Sequence, residues 1–344
     1  MYTLRDFLAF FLGAAITAAV IVLLLPPSLC GVGVVGVVPA DQQLASDYGS
    51  QPADPNTKNI QTAENGHIDD NLAELLRSAA SEDNTVIMAF TNEAWTAPGS
   101  LVDIFLESFR VGVKTQPLLK QLVLVAVDAK AFKRCQNVHP LCYSLVTTND
   151  NFTAAQSFMS KDYIDMVWVR NKFMGRVVEL GHNVVFTDVD IIWLRNPLLR
   201  VPVGADISVS CDWFDWHGDT PYDLNKLANT GFVHVKPSAR TSAFFRDWYE
   251  ARTRCPTCND QPVFDMVKNE LAERHGVTVQ FVDTAYLGSQ CEPKMDFHNL
   301  CTFHANCIIG LDNKQWRLVQ VLDEWKKFKA QQELLGSNST VLVN

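Results

Sequence analysis

Two carboxylates stand close together inside an otherwise apolar stretch of the sequence. The run from Val184 to Trp193, VVFTDVDIIW, places Asp188 and Asp190 directly after a predicted strand. In an extended backbone, residues two apart face the same side, so both carboxylates can approach one cation. An unpaired carboxylate is expensive to bury, and hard oxygen ligands suit Mg²⁺ or Mn²⁺. The pattern therefore predicts a divalent metal site, with a pair of aspartates capping a turn as the alternative.

A metal ion of this kind would let an acidic protein hold an anionic substrate. The 344 residues include 29 Lys and Arg against 38 Asp and Glu, which gives a formal net charge of −9 and no basic stripe. This balance argues against nucleic acid as a partner. The aspartate pair also fits a phosphatase of the haloacid-dehalogenase type, but that motif belongs at the first strand of its domain, and here two strands precede it.

The elements that must position the aspartates alternate between strands and helices. Alternation of this kind predicts an α/β fold, in which a mostly parallel sheet is covered by helices on both faces. Ligands then bind beyond the carboxyl ends of the strands, just after Phe90, Val127 and Phe186. The predicted strands cover 86–90, 122–127, 184–186, 206–211 and 231–235, and the predicted helices cover 68–81, 101–113, 163–180, 243–254, 262–273 and a segment around 316–328.

The N-terminal part of the chain predicts a membrane anchor. Residues 7–25 contain no charged side chain, and at about 1.5 Å per residue they span the hydrocarbon core of a bilayer. Arg5 precedes this run, which favours a cytosolic N-terminus and a type II orientation. The run is longer than a usual signal-peptide core, so an anchor is favoured over a cleaved signal. The expected organisation is a cytosolic tail (1–6), a transmembrane signal-anchor (7–25), a stem (26–83), a catalytic domain (84–331) and a C-terminal tail (332–344).

The cysteines fit an oxidising, lumenal compartment. Cys30 lies beside the membrane run, and the other eight of the nine cysteines form an even set that predicts disulfides, with a connectivity that sequence does not specify. Cys255 and Cys258 have the spacing of a zinc half-site or a dithiol. Because no second CxxC motif is present, a structural disulfide is favoured. Glycosylation sequons at Asn151 and Asn338 agree with lumenal exposure.

Several further short segments along the chain are informative when they are considered together with the aspartate run. The longest extends from Cys301 to Lys314, CTFHANCIIGLDNK, and the segment 181–197, GHNVVFTDVDIIWLRNP, contains both aspartates. Together, over about residues 84–330, the segments resemble the plant nucleotide-diphospho-sugar transferase family related to glycosyltransferase family 77. The resemblance implies a GT-A (Rossmann-like) fold, a Golgi membrane anchor, and retaining sugar transfer from a nucleotide sugar. The shorter segments are SCD at 210–212, NTG at 229–231, DQ at 260–261, DTAY at 283–286 and LDEWK at 322–326.

The resemblance also assigns roles to individual residues. Asp188, Asp190 and His304 would bind Mn²⁺ (or Mg²⁺) and, through it, the diphosphate of a UDP-sugar. Asp260 and Gln261 would lie beside the anomeric carbon, where a carboxylate or amide can stabilise an oxocarbenium-like transition state. Whether a covalent intermediate forms or one face is merely shielded stays open. The residues assigned to donor binding are Thr91, Asn92, Trp95, Arg170, Asn229, Gly231, Gly310 and Lys314.

The segment after His304 departs from the family pattern. Its gaps, six residues to Gly310 and four more to Lys314, are longer than in many relatives. In the expected site, Gly310 lets the backbone approach the phosphates and Lys314 offsets their charge. The expected partners are a UDP-sugar donor, a glycan or glycoprotein acceptor, and the membrane through one N-terminal helix. The alternative is a non-catalytic lumenal scaffold or subunit that keeps the fold.

Overall fold

The computed structural model describes residues 70–145, 159–214, 220–292 and 295–341, with side chains to Leu335. These residues all belong to one compact unit, Asn56–Asn344. The predicted tail and membrane anchor, the stem up to residue 69 and the Asn151 sequon lie outside the described residues. Among the helices that the structure does describe, none combines the length and the apolar character needed to span a bilayer.

In the part of the chain that the structure describes, ten strands form two sheets. The larger sheet has seven strands, in the order β3-β2-β1-β4-β7-β6-β8, and the smaller has the order β5-β10-β9. In the larger sheet only β7 runs antiparallel to its neighbours, so the sheet is mostly parallel, as the sequence predicts. The strands are β1 (Thr85–Thr91), β2 (Leu122–Ala126), β3 (Cys142–Ser144), β4 (Asn183–Thr187), β5 (Ile191–Trp193), β6 (Ile207–Cys211), β7 (Ala228–Val235), β8 (Val279–Phe281), β9 (Leu287–Ser289) and β10 (Thr302–His304).

Helices cover both faces of the larger sheet, and the smaller sheet lies on one of them. Side chains of β1 alternate between two cores: Val86 and Met88 point to one, and Ile87 and Ala89 to the other. The first core is closed by α1 and α5–α7, and the second by α3, α8 and the smaller sheet. The helices are α1 (70–79), α2 (Glu93–Thr96), α3 (Leu101–Val111), α4 (Ala129–Val138), α5 (Lys161–Glu179), α6 (Ala239–Glu250), α7 (Asp260–His275) and α8 (Leu311–Val341).

Two of the expected domain boundaries differ from the structure. Leu72 and Leu76 of α1 are buried in the first core, so this part of the expected stem packs as part of the catalytic unit. The apolar face of α1 has to be covered, and the sheet covers it. At the other end, α8 continues without a break to Val341, through most of the expected C-terminal tail.

Three disulfides link six of the eight cysteines that were expected to pair. They are Cys135–Cys142, Cys255–Cys258 and Cys291–Cys307. The CxxC pair is therefore a disulfide, as predicted. The remaining two cysteines, Cys211 and Cys301, are buried thiols, which corrects the expectation that the even set pairs completely.

A buried histidine in β7 gives the fold an expected acid sensitivity. Burial lowers the pKa of His234 from 6.5 to about 4, and Lys236 acts in the same direction. As the pH falls from about 6.5 to 4, the unfolded chain takes up a proton that the folded chain refuses, so the folded state loses stability. The loss is roughly 3 kcal/mol at its full extent. We expect His234→Gln to remove this part of the pH dependence in chemical denaturation curves; an unchanged slope would contradict the assignment.

Candidate active site

Asp188 and Asp190 lie at the carboxyl end of β4, in the turn that leads into β5. Asp190 is buried, and 31% of the Asp188 side chain is accessible. The Asp188 amide donates to the Gly231 carbonyl at 2.8 Å, and the Ile191 amide donates back to the Asp188 carbonyl at 3.2 Å. The two carboxylates therefore converge because the chain turns. The extended backbone assumed from sequence is not what brings them together.

His304 reaches the aspartates across the smaller sheet. β10 runs antiparallel to β5 and pairs His304 with Ile191, one residue after Asp190. Its Nε2 atom lies 3.2 Å from Asp190 Oδ1 and 4.0 Å from Asp188 Oδ2. The three possible ligand atoms all lie within 4.8 Å of one another. The structure thus brings together the three residues expected to bind metal, although 114 positions separate Asp190 from His304 in the sequence.

Gly231 makes room for this cluster. A Cβ atom at this position would lie 2.6 Å from His304 Cε1, 2.8 Å from Asp188 Oδ2 and 2.8 Å from Asn229 Oδ1. Distances this short are incompatible with any side chain, so only glycine lets β7 pass beside the two ligands. The expected role in lining the donor sugar stays a prediction. The space left by the missing side chain is a direct structural reason for glycine.

Arg170 connects the candidate metal site to the start of α7. Its Nη1 donates to Asp188 Oδ1 at 3.0 Å, and its Nη2 donates to Asp260 Oδ2 at 2.8 Å. The guanidinium carbon lies 4.6 Å from the centre of the Phe186 ring, and only 11% of the side chain is exposed. Contact of Arg170 with the donor stays a prediction; in the structure its terminal nitrogens join two carboxylates that have separate expected roles.

Asp260 and Gln261 open α7, with Asn259 as the N-cap. Asp260 Oδ1 accepts a hydrogen bond from the Thr230 hydroxyl at 3.4 Å, and its carboxylate is almost fully buried. The Gln261 side-chain oxygen accepts from the Thr230 amide at 3.1 Å. Both side chains are therefore held against β7 next to Gly231. Their expected place beside the reacting carbon stays a prediction. Asp260 has both oxygens hydrogen-bonded, so its carboxylate is firmly oriented.

The Asp212 carboxylate lies beside the predicted site residues and accepts hydrogen bonds from two side-chain amides. The sequence pattern assigned it no role. Asp212 Oδ1 accepts from Asn229 Nδ2 and from Asn306 Nδ2, each at 2.6 Å. Asn306 in turn accepts from Ser289 Oγ and from the Gln290 amide, both at 2.9 Å. A small cleft is lined by Asn229, Ser289, Asn306 and His304. Asp212 follows the end of β6, as Asp188 follows the end of β4, and this shared position is the signal that could have singled it out.

Tyr163 is a second residue that sequence reasoning did not single out. Burial raises the pKa of its phenol, and the charges of Asp188 and Asp260 act in the same direction against that of Arg170. Tyr163 lies seven residues before Arg170 in the same helix, a spacing that places both on one helix face. That spacing was visible in the sequence.

Lys314 reaches the site from the first turn of α8. Its ammonium group donates a short hydrogen bond to Asp190 Oδ2. Gly310 precedes the helix with a left-handed φ of +93° and accepts from the Lys314 amide at 3.2 Å. A Cβ at Gly310 would lie 3.4 Å from the side-chain amide nitrogen of Asn313, which is ordinary contact. The left-handed backbone conformation of Gly310 is therefore the observed reason for glycine here. Despite the longer gaps in this segment, Lys314 thus reaches Asp190.

Thr91, Asn92 and Trp95 lie at the carboxyl end of β1, the neighbour of β4. Asn92 caps α2 by accepting from the Trp95 amide at 3.0 Å. Thr91 is buried, and its hydroxyl has no hydrogen-bond partner among the described residues. Loop capping by Asn92 is therefore observed, while nucleoside binding by the three residues stays a prediction.

The charges around the aspartates keep them ionised near neutral pH. Burial raises the pKa of Asp188 to about 6, against the opposing effect of Arg170. Burial acts on Asp190 in the same way, but the Lys314 ammonium and the His304 ring together hold its pKa well below the usual range. Two carboxylates and an imidazole form a ligand set that a divalent ion such as Mn²⁺ can use, and in the structure the carboxylates also pair with Arg170 and Lys314. The residues present therefore fit a divalent ion.

Comparison with known proteins identifies the family of the chain. A family model described as nucleotide-diphospho-sugar transferase matches residues 117–318, more than half of the chain. The chain belongs to the nucleotide-diphospho-sugar transferase family, and it is a glycosyltransferase.

Among individual relatives, an uncharacterised protein of Arabidopsis thaliana is 39% identical over 259 residues, 75% of this chain and 68% of that protein. The UDP-D-xylose:L-fucose alpha-1,3-D-xylosyltransferase 1 of Arabidopsis thaliana is 22% identical over 235 residues, 62% of this chain and 64% of that enzyme. Among solved structures, the apo form of mouse xyloside xylosyltransferase 1 has a TM-score of 0.38 at 14% identity, over 65% of this chain and 98% of that chain.

Proposed function

We propose that the protein is a GT-A, retaining glycosyltransferase that moves a sugar from a UDP-sugar to a glycan or glycoprotein acceptor. The observation that carries the proposal is the convergence of Asp188, Asp190 and His304 with Lys314 beside them. A metal site next to a lysine at a helix N-terminus is an arrangement suited to a diphosphate. A scaffold has no need of this cluster.

In the proposed mechanism, Asp188, Asp190 and His304 would hold Mn²⁺ (or Mg²⁺). Such an ion would supply Lewis-acid stabilisation of the negative charge that develops on the departing diphosphate. Lys314 adds a positive charge at the same place, which is electrostatic stabilisation of the leaving group. No histidine other than His304 is placed in the site among the described residues, so the departing phosphate oxygen is proposed to accept the proton of the acceptor hydroxyl.

Asp260 and Gln261 are proposed to face the anomeric carbon. Their side chains are oriented by Thr230 and, for Asp260, by Arg170. Since both Asp260 oxygens already accept hydrogen bonds, Asp260 contributes a fixed negative charge that favours an oxocarbenium-like transition state. Gln261 keeps its amide nitrogen for the substrate.

The compartment and the donor are proposed from different observations. The apolar run at 7–25 and the disulfides among the described cysteines support a type II Golgi protein with a lumenal catalytic domain. A UDP-pentose is the first donor to test, because a relative at 22% identity is named as a UDP-D-xylose-dependent xylosyltransferase.

The test is a panel of UDP-sugars incubated with the purified full-length protein, with UDP release as the readout. We expect at least one UDP-sugar to be hydrolysed in Mn²⁺ and not in EDTA, and UDP to raise the melting temperature only when Mn²⁺ is present. Absence of both effects would favour the scaffold. Hydrolysis of a simple phosphate ester with Mg²⁺, independent of nucleotide, would favour the phosphatase.

A further inference from the structure

Lys314 pairs with one oxygen of the Asp190 carboxylate, which is expected to bind the metal ion. Its ammonium group donates to Asp190 Oδ2, and the other oxygen of that carboxylate lies 3.2 Å from His304 Nε2. The ion pair is partly enclosed, since 27% of the Lys314 side chain and 11% of the Asp190 side chain are exposed. Salt screens such a pair less than a surface pair. A divalent ion bound to the oxygen that faces His304 would share this carboxylate with Lys314, so the two cations would compete for its negative charge.

The net charge of the cluster shows when the binding of a divalent ion beside Lys314 is unfavourable. Asp188, Asp190 and Asp260 face two permanent cations, Arg170 and Lys314, which leaves one net negative charge. A divalent ion alone would turn the balance positive and would place a second cation beside the Lys314 ammonium. A diphosphate brings at least two negative charges and offers the ammonium a new partner. With metal and diphosphate together, the cluster returns to the one net negative charge that it carries without ligands.

The contacts around Lys314 restrain its backbone, so any change of its partner involves only the side chain. The segment between β10 and α8 is held by the Cys291–Cys307 disulfide and by Asn306, whose amide oxygen accepts from Ser289 and Gln290. The lysine itself has a flexible stem and three rotatable donors. It also sits in the first turn of a long helix, where the helix dipole favours anions.

We propose that Lys314 exchanges partners, from Asp190 in the ligand-free protein to the diphosphate in the loaded one. This inference rests on the proposed function, because it takes the metal and the nucleotide as given. Lys314 then acts as a placeholder that weakens metal binding in the absence of donor and couples the binding of the two ligands. Metal without nucleotide binds poorly, and each ligand strengthens the other by the same factor.

The test is isothermal titration of Mn²⁺ into the full-length protein, with and without saturating UDP. For the wild type we expect UDP to strengthen Mn²⁺ binding by at least about 30-fold. Lys314→Met should bind Mn²⁺ alone about five to ten times more tightly than the wild type, and UDP should then strengthen binding by less than about fivefold. A lysine that only contacts phosphate would not change metal affinity in the absence of nucleotide.

Lys326→Met is the matched control, because Lys326 lies on the same helix and pairs with Glu107 at 3.3 Å on the surface. It should behave as the wild type, which separates direct competition from a general loss of positive charge. Mn²⁺ binding to Lys314→Met that is no tighter than to the wild type would overturn the exchange while leaving the proposed function intact. A wild-type protein that binds no Mn²⁺ even with UDP would overturn both.

Discussion

Asp190→Asn is expected to lower UDP-sugar turnover by at least about 10³-fold, which corresponds to roughly 4 kcal/mol of transition-state stabilisation. The substitution keeps the shape of the side chain but removes the charge that faces His304 and Lys314. The metal then loses an anionic ligand, and Lys314 loses its partner in the ligand-free state. Initial rates of UDP release in saturating Mn²⁺ measure the effect, and circular dichroism establishes that the fold is retained.

Asp312→Asn provides the comparison for this variant. Asp312 is an exposed carboxylate in the same first turn of α8 as Lys314. Its replacement changes the net charge by the same amount but touches none of the cluster, so turnover should stay within about twofold of the wild type. If Asp190→Asn retained more than a tenth of the wild-type turnover, Asp190 would not be a metal ligand in the reaction.

Arg170→Met is expected to destabilise the protein by about 3–5 kcal/mol as well as to reduce turnover. Breaking a buried ion pair by removal of one partner leaves an uncompensated charge, and here Arg170 is the partner of both Asp188 and Asp260. The Asp260 side chain is only 2% exposed, so water cannot replace the guanidinium. Urea denaturation measures the free energy of unfolding. Arg170→Lys should recover only part of it, because one ammonium does not reproduce the guanidinium fork.

Arg176→Met on the same helix serves as the control. Arg176 lies on the surface with 42% of its side chain exposed and pairs with Glu179 at 3.2 Å. Exposed pairs of this kind contribute little, so a change within about 0.5 kcal/mol is expected. Equal losses for Arg170→Met and Arg176→Met would show that the two carboxylates do not depend on Arg170.

Most of the regular elements follow from local patterns in the sequence. The apolar run 122–127 predicts a buried strand because strands in a covered parallel sheet are apolar on both faces, and β2 is Leu122–Ala126. Helix α5 was expected at 163–180 and extends over Lys161–Glu179, with Ser160 capping its start. Gly181 follows with a positive φ of 89°, the backbone conformation that glycine favours at helix ends.

The differences between the expected boundaries and the packing seen in the structure have a shared cause. Helix α1 was correctly expected near 68–81 but was assigned to the stem, because the partner of its apolar face is distant in the chain. The same limit applies to Cys211 and Cys301, which are buried free thiols in the structure. Composition and spacing do not contain these distances.

By itself, the sequence determined the alternation of strands and helices, the aspartate pair at the end of a strand, and the short segments that identify the family. Each of these is a local pattern, written in residues that are neighbours along the chain. Only the tertiary structure decided that Arg170 joins Asp188 to Asp260, that Gly231 leaves space beside His304, and that Lys314 pairs with Asp190. These contacts depend on the relative positions of a turn, two sheets and a helix N-terminus. The packing of the whole core determines those positions.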